Sequence, residues 1–258
     1  MSARLQRLPR ILAMETRAEF LKLIRLPAFA IPVIVLPVMF YVLFGLALGG
    51  ARSAGSVRIS TYMIATYGVF GVVGSALSAL GIGVAMERGQ GWMLVKRASP
   101  MPPLVYFVAK VLMSMAFAAI ITLLLFTLGV TAGGVRLPIG TFAILGGTLV
   151  LGAVPFCAMG CAVGAVVGPN SAPAVVNLAY LPMAFASGLW IPYEMLPKAV
   201  QSIAPALPPY HLARLALHAL GADQSPPAGH LLALAGFSVA FLALAVVAFR
   251  RDDGRTYG

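Results

Sequence analysis

Apolar residues in this chain form long blocks separated by short charged or Gly/Pro-rich breaks. The longest, residues 137–193, runs 57 residues without an Asp, Glu, Lys or Arg. A bilayer core of ~30 Å takes about 20 mostly apolar residues per helical crossing, and a charge at its centre costs roughly 2.5–3.5 kcal/mol. The blocks therefore predict six spans, at residues 28–48, 59–86, 110–133, 139–167, 171–190 and 231–249. Pro27 suits the first turn of the first span, Glu87-Arg88-Gly89 ends the second, and Gly133-Gly134 ends the third. The turn-forming Gly168-Pro169-Asn170 divides the longest block in two. Apart from Lys110, which opens the third, the expected spans hold no Asp, Glu, Lys or Arg, so no internal proton or ion relay is expected.

Composition agrees with a membrane protein: 60% of residues are hydrophobic, 10% are charged, and the mean hydropathy is +0.96. The formal charge of +11 could suit nucleic acid, but the basic residues flank apolar blocks and act better as topology signals. Six spans put both termini on one side. That side collects 13 Lys and Arg, six before the first span, four in the 87–110 loop and three at the C-terminus, against five opposite. The positive-inside rule makes the termini and this loop cytoplasmic, in a bacterial plasma membrane. Residues 4–25 mix Arg and Glu and lack a short apolar core before a cleavage site, unlike a secretory signal.

Residues 10–25 carry helical periodicity. Leu12, Thr16, Phe20, Leu23 and Ile24 share one face, and Glu15, Glu19 and Lys22 the other. With Arg10, Arg17 and Arg25 alongside, the segment reads either as a helix on the anionic membrane surface or as a solvated amphipathic linker.

The loop from Glu87 to Pro103 is the most specific local signal. Gly91 separates it from the second span, Trp92 to Arg97 suffice for about a turn and a half of helix, and Pro100, Pro102 and Pro103 stop it. Trp92, Met93 and Val95 beside Arg88, Lys96 and Arg97 suit a protein contact or, equally, an anchor in the headgroup layer. No Gly-x-x-x-x-Gly-Lys-Ser/Thr phosphate loop occurs in the sequence, so energy for uphill transport would come from another chain.

An acidic-basic pair, a glycine, a short helix, Ser-Pro, and a following span opened by Lys110 resemble the coupling-helix loop of ATP-binding-cassette exporter permeases of the type-2 family. The resemblance covers nearly the whole chain: a surface helix, six spans, this loop, and a long apolar external segment at 191–228 before the last span. It implies an all-α polytopic domain over residues 1–258, with an interfacial helix at 10–25, a coupling loop at 87–103 and external re-entrant helices. It further implies a second permease copy, a separate ATPase holding ATP and Mg, and no cofactor on this chain. Glu87, Arg88, Gly91, Trp92, Met93, Leu94, Lys96 and Arg97 become the ATPase-facing residues. The cargo implied is amphipathic: drug-like, lipid or glycoconjugate. The segment 191–228 either re-enters the outer leaflet or lies flat as a lid.

Other candidates carry less chemistry. Gly160, Gly164 and Gly168 form a small-residue ridge suited to close helix packing. Cys157 and Cys161, four apart on one helix face, read as packing residues. His211 and His218 share a helix face but lack the carboxylates or thiols of a metal site, and no metal is expected. Thr61, Thr66, Ser75, Ser78, Asn177 and Ser187 are candidate path-lining groups. Two rival functions remain: a transporter or channel working without ATP, and a membrane-embedded lipid enzyme. The enzyme would need a polar cluster that the scattered Glu87, Glu194 and Asp223 do not supply.

Overall fold

The computed structural model describes residues 2–47, 53–54, 57–92, 98 and 101–252. Helix α1 (Ser2–Ile24) precedes α2 (Pro27–Phe40), which begins on Pro27 and widens into a π-helix over Tyr41–Ala47. A two-residue ribbon pairs β1 (Ser53–Ala54) with β2 (Val57–Arg58). Then α3 (Ile59–Leu77) passes through a π turn (Ser78–Ile82) into α4 (Gly83–Gly89). The remaining long elements are α5 (Pro103–Thr131), α6 (Ile139–Leu151), α7 (Ala153–Val166), α8 (Ala172–Ala186), α10 (Pro208–Ala219) and α11 (Pro227–Asp252). Between α8 and α10 lie two 3₁₀ turns (Tyr193–Met195, Ala204–Ala206) and the six-residue α9 (Lys198–Ile203).

The hub is α3. It is apolar on every side, and a helix of that kind is buried all round; all of Ser60–Leu77 is inaccessible. Helices α2, α5, α7 and α10 pack around it. At its π turn the partner is α7: a Cβ on Gly164 would stand 2.8 Å from the Gly81 carbonyl, and one on Gly160 3.0 Å from Leu80 Cβ. The expected glycine ridge therefore packs within the chain at Gly160 and Gly164, whereas Gly168 faces open space. Cys157 and Cys161 are free and buried on the same helix.

Among the described residues, five helices are long and apolar enough to cross a membrane: Pro27–Ala47, Ile59–Gly89, Leu104–Thr131, Ile139–Val166 and Pro227–Arg251. The segment expected as the fifth span, 171–190, forms the 15-residue α8. At 1.5 Å per residue that is about 22 Å, short of the ~30 Å core. The fourth is two helices broken at Gly152, where Pro155 removes a donor in the first turn of α7.

Two expectations need correction. Helix α5 starts at Pro103, so Lys110 lies well inside it instead of opening it. Glu87 belongs to the continuous Ile59–Gly89 helix. Lys110 therefore sits on a span helix because Pro102-Pro103 starts that helix two turns earlier than the charge pattern suggested, while Glu87 sits in the last turn of its own, which ends at Gly89 as expected.

Candidate coupling site

The charges on α1, α4 and α5 converge. Lys110 Nζ, 1% exposed, donates to Glu19 Oε2 at 2.8 Å and to Glu87 Oε1 at 2.9 Å. Lys22 Nζ donates to Glu87 Oε1 and lies 3.5 Å from Glu19 Oε2. Tyr106, one turn before Lys110, gives its hydroxyl proton to Glu87 Oε2 and sets its ring 4.9 Å beneath the Lys110 ammonium. Two lysines and two glutamates make a neutral group, which is the condition for burying charge against apolar helices.

Glu19 is the surprise. Helical periodicity set it on the polar face with Glu15 and Lys22, yet it is buried and turned toward α5. Helix α1 thus lies against the bundle, with Phe20 at 5.2 Å from the Phe117 ring, and its inward face carries one carboxylate. A sequence signal did exist: Lys110 sits in the apolar run 104–131 after a Pro-Pro start, and a helix-interior lysine needs a carboxylate nearby. Lys22 is half exposed. Burial would lower its pKa, but the hydrogen bond to Glu87 and the charges of both glutamates raise it above the ordinary lysine value.

The start of the 87–103 loop is fixed on its other side too. Arg88 Nη1 donates to the Gly164 carbonyl at 2.7 Å, placing a cation at the carbonyl end of α7. Gly89 touches the 168–171 turn so closely that a Cβ would lie 2.6 Å from Pro169 Cγ. Gly91 then adopts φ +73°, the left-handed conformation that ends a helix, and its N–H reaches the Arg88 carbonyl at 3.1 Å. Beyond it Trp92 is 52% exposed. Of the residues expected to face a partner, Glu87 is buried within the chain, Arg88 and Gly91 are partly exposed and Trp92 is exposed. Met93, Leu94, Lys96 and Arg97 lie outside the described residues.

At the opposite end of the bundle, Arg214 on α10 lies 4.4 Å from the Tyr193 ring and 5.1 Å from the Tyr210 ring, with Asp223 at 3.5 Å and Glu194 at 3.7 Å. Burial would raise the Asp223 pKa, but the hydrogen bond from the Ser225 amide and the Arg214 charge bring it below the ordinary aspartate value. Among the described residues no group of three or more His, Cys, Asp or Glu is placed to hold a metal. Of the candidate path-lining groups, Thr61, Thr66, Ser75 and Ser187 are buried in the bundle, and Ser75 donates to the Val72 carbonyl at 2.9 Å. Asn177 on α8 is exposed.

A buried charge cluster at the root of the 87–103 segment, close to the exposed Trp92, is a mechanical arrangement. The sequence profile described as ABC-2 type transporter matches residues 12–220, from within α1 to the end of α10. The chain belongs to the ABC-2 transporter family. This ABC-2 permease subunit is also 26% identical over 243 residues, 94% of its length, to a protein of Bacillus subtilis (strain 168) described as a transport permease, YvfS, of which the match covers 98%. The family assignment and the five span-length helices make it a multi-pass membrane protein and a transport permease.

Proposed function

We propose that this permease is one half of an ATP-driven exporter, that it crosses the membrane six times with both termini in the cytoplasm, and that loop 87–103 receives a separate ATPase. ATP and Mg are bound and hydrolysed in that partner. The carrying observation is the anchorage of the loop's first two residues: Glu87 to α1 and α5 through Lys22 and Lys110, Arg88 to α7 through the Gly164 carbonyl. A push on Trp92 and its neighbours reaches three helices through short charged contacts. An element that two sites can bias in this way is what coupled transport requires.

Sidedness is supported by the 13 to 5 division of Lys and Arg. Pairing with a second copy is supported by the exposed apolar flanks of α2 and α8, where Phe44, Leu178 and Phe185 stand open. A bundle without charge through its middle favours an amphipathic cargo such as a drug-like molecule, lipid or glycoconjugate. The charges at Glu87 and Lys110 do not favour an autonomous ion-driven carrier, because both are locked in one compact cluster with Glu19 and Lys22. Neither α2, α6, α7 nor α8 adds a charge that would continue a relay.

The test is co-expression with a candidate ATPase and purification through a tag on the permease. Equal co-elution, lost when Trp92 and Met93 are changed together to Ala, is expected. A folded permease that never retains the ATPase would overturn the reading.

A further inference from the structure

His211 on α10 and His230 on α11 meet ring to ring, Nδ1 to Nδ1 at 2.9 Å. Their outer nitrogens are also occupied: His211 Nε2 lies 2.9 Å from the Pro205 carbonyl and His230 Nε2 lies 2.9 Å from Ser225 Oγ. A carbonyl only accepts, so His211 Nε2 carries a proton. The neutral pair then has one arrangement, in which Ser225 donates to His230 Nε2, His230 Nδ1–H donates to His211 Nδ1, and His211 Nε2–H donates to Pro205. One added proton fits, since the Ser225 hydroxyl can turn and accept. A second puts two N–H groups and two positive charges face to face at 2.9 Å, where no hydrogen bond exists.

From this geometry we infer that His211 and His230 form an acid-released latch holding the α9–α10 segment against the last span. The groups around the pair leave the second proton poorly compensated. From α10 come Tyr210, the Arg214 cation and His218, and from the 220–226 loop Asp223 and Ser225. The 193–195 turn adds Tyr193 and Glu194, α3 adds Tyr62, and α11 itself adds the Phe237 ring. The one nearby carboxylate that is well enclosed, Asp223, is committed to Arg214 and to the Ser225 amide, and it stays ionised through the window in which imidazoles titrate. Burial also pushes the His211 imidazole below 6.5, with the Pro205 carbonyl partly offsetting it. A group held neutral in this way contributes stability above pH 6.5 that is lost as pH falls. An apolar groove of about 540 Å³ opens beside this seam, walled by α6 and α7 and by Leu215 of α10 and Leu231 and Leu234 of α11, while α10 keeps its packing on α3; release therefore concerns the α10–α11 seam alone. That the latch faces the exterior, and so senses external acid, rests on the topology proposed above; the latch itself does not.

Hydrogen exchange of the full chain in detergent, followed at the Leu207–Ala219 amides between pH 7.5 and 5 and corrected for intrinsic exchange, reads the release directly. Wild type is expected to lose protection by about tenfold per pH unit for each extra proton the opened form takes up. His211→Asn, which accepts from His230 without gaining charge, is expected to flatten that profile, and His230→Asn likewise. Equal profiles in wild type and variants overturn the latch. A wild type with no acid-dependent loss at these amides overturns it even where a variant fails to fold. The measurement involves neither ATPase nor transport, so failure of the exporter reading leaves its outcome intact.

Discussion

Lys110 is the residue on which most depends. With its ammonium buried, Lys110→Met strands Glu19 and Glu87 without their shared counter-charge and is expected to cost about 3–5 kcal/mol. Thermal unfolding in detergent checks this. The combined change of Lys110→Met with Glu19→Gln and Glu87→Gln is expected to recover most of the loss, because it removes the buried charges together and leaves only Lys22, which is half in solvent. Lys22→Met is expected to cost no more than about 1 kcal/mol, since that side chain is half in solvent. A Lys110→Met cost no larger than that of Lys22→Met would mean that the cluster is superficial. The glycines separate in the same fashion. Gly164→Val drives two methyls into the Gly81 and Leu80 carbonyls and is expected to abolish a folded product, whereas Gly168→Ala meets nothing and is expected to be neutral. Individual residue types told only part of this. The ridge 160–164–168 was visible in sequence as spacing, but which glycine has a neighbour depends on α7 ending at Val166.

At the scale of elements, the anchorage of loop 87–103 separates two jobs that the sequence had merged. In the proposed coupling role, exposed Trp92 would touch the partner, and Glu87 and Arg88, tied to the bundle, would pass on its movement. Glu87→Gln and Arg88→Met are therefore expected to retain ATPase co-elution and to lose stimulated hydrolysis or transport, while Trp92→Ala with Met93→Ala loses co-elution itself. If Arg88→Met releases the ATPase as completely as Trp92→Ala with Met93→Ala, the division of labour is wrong. Helix positions were legible because apolar length is a strong signal, as the agreement at residue 59 and at residue 139 shows. The start of α5 was not, because a charge was read as a boundary when Pro102-Pro103 had already supplied one. The inward turn of Glu19 was hidden for a related reason: periodicity reports a polar face, and a buried cation elsewhere in the chain can claim one member of it.

For the whole molecule, the 15-residue α8 turns a counting question into a sidedness one. Six crossings place both termini together, and five place them apart. Single cysteines at Arg10→Cys, Lys198→Cys and Arg251→Cys decide the matter with a membrane-impermeant thiol reagent on whole cells. Labelling of the Lys198→Cys chain alone is expected, with the other two reacting only after permeabilisation. Labelling of one terminus but not the other would mean that α8 does not cross. The native Cys157 and Cys161 are buried and leave the background low. The same molecule also carries a constraint on its own biogenesis. Glu19 is made 91 residues before the lysine that neutralises it, and Glu87 23 residues before. A ribosome delivers the chain from its N-terminus, so α1 and the first two span helices emerge with both carboxylates of the cluster and, of its two lysines, only Lys22. They acquire their final seat when the third span helix arrives, and a nascent chain halted before residue 103 is an incomplete assembly that quality control can recognise by its uncompensated charge.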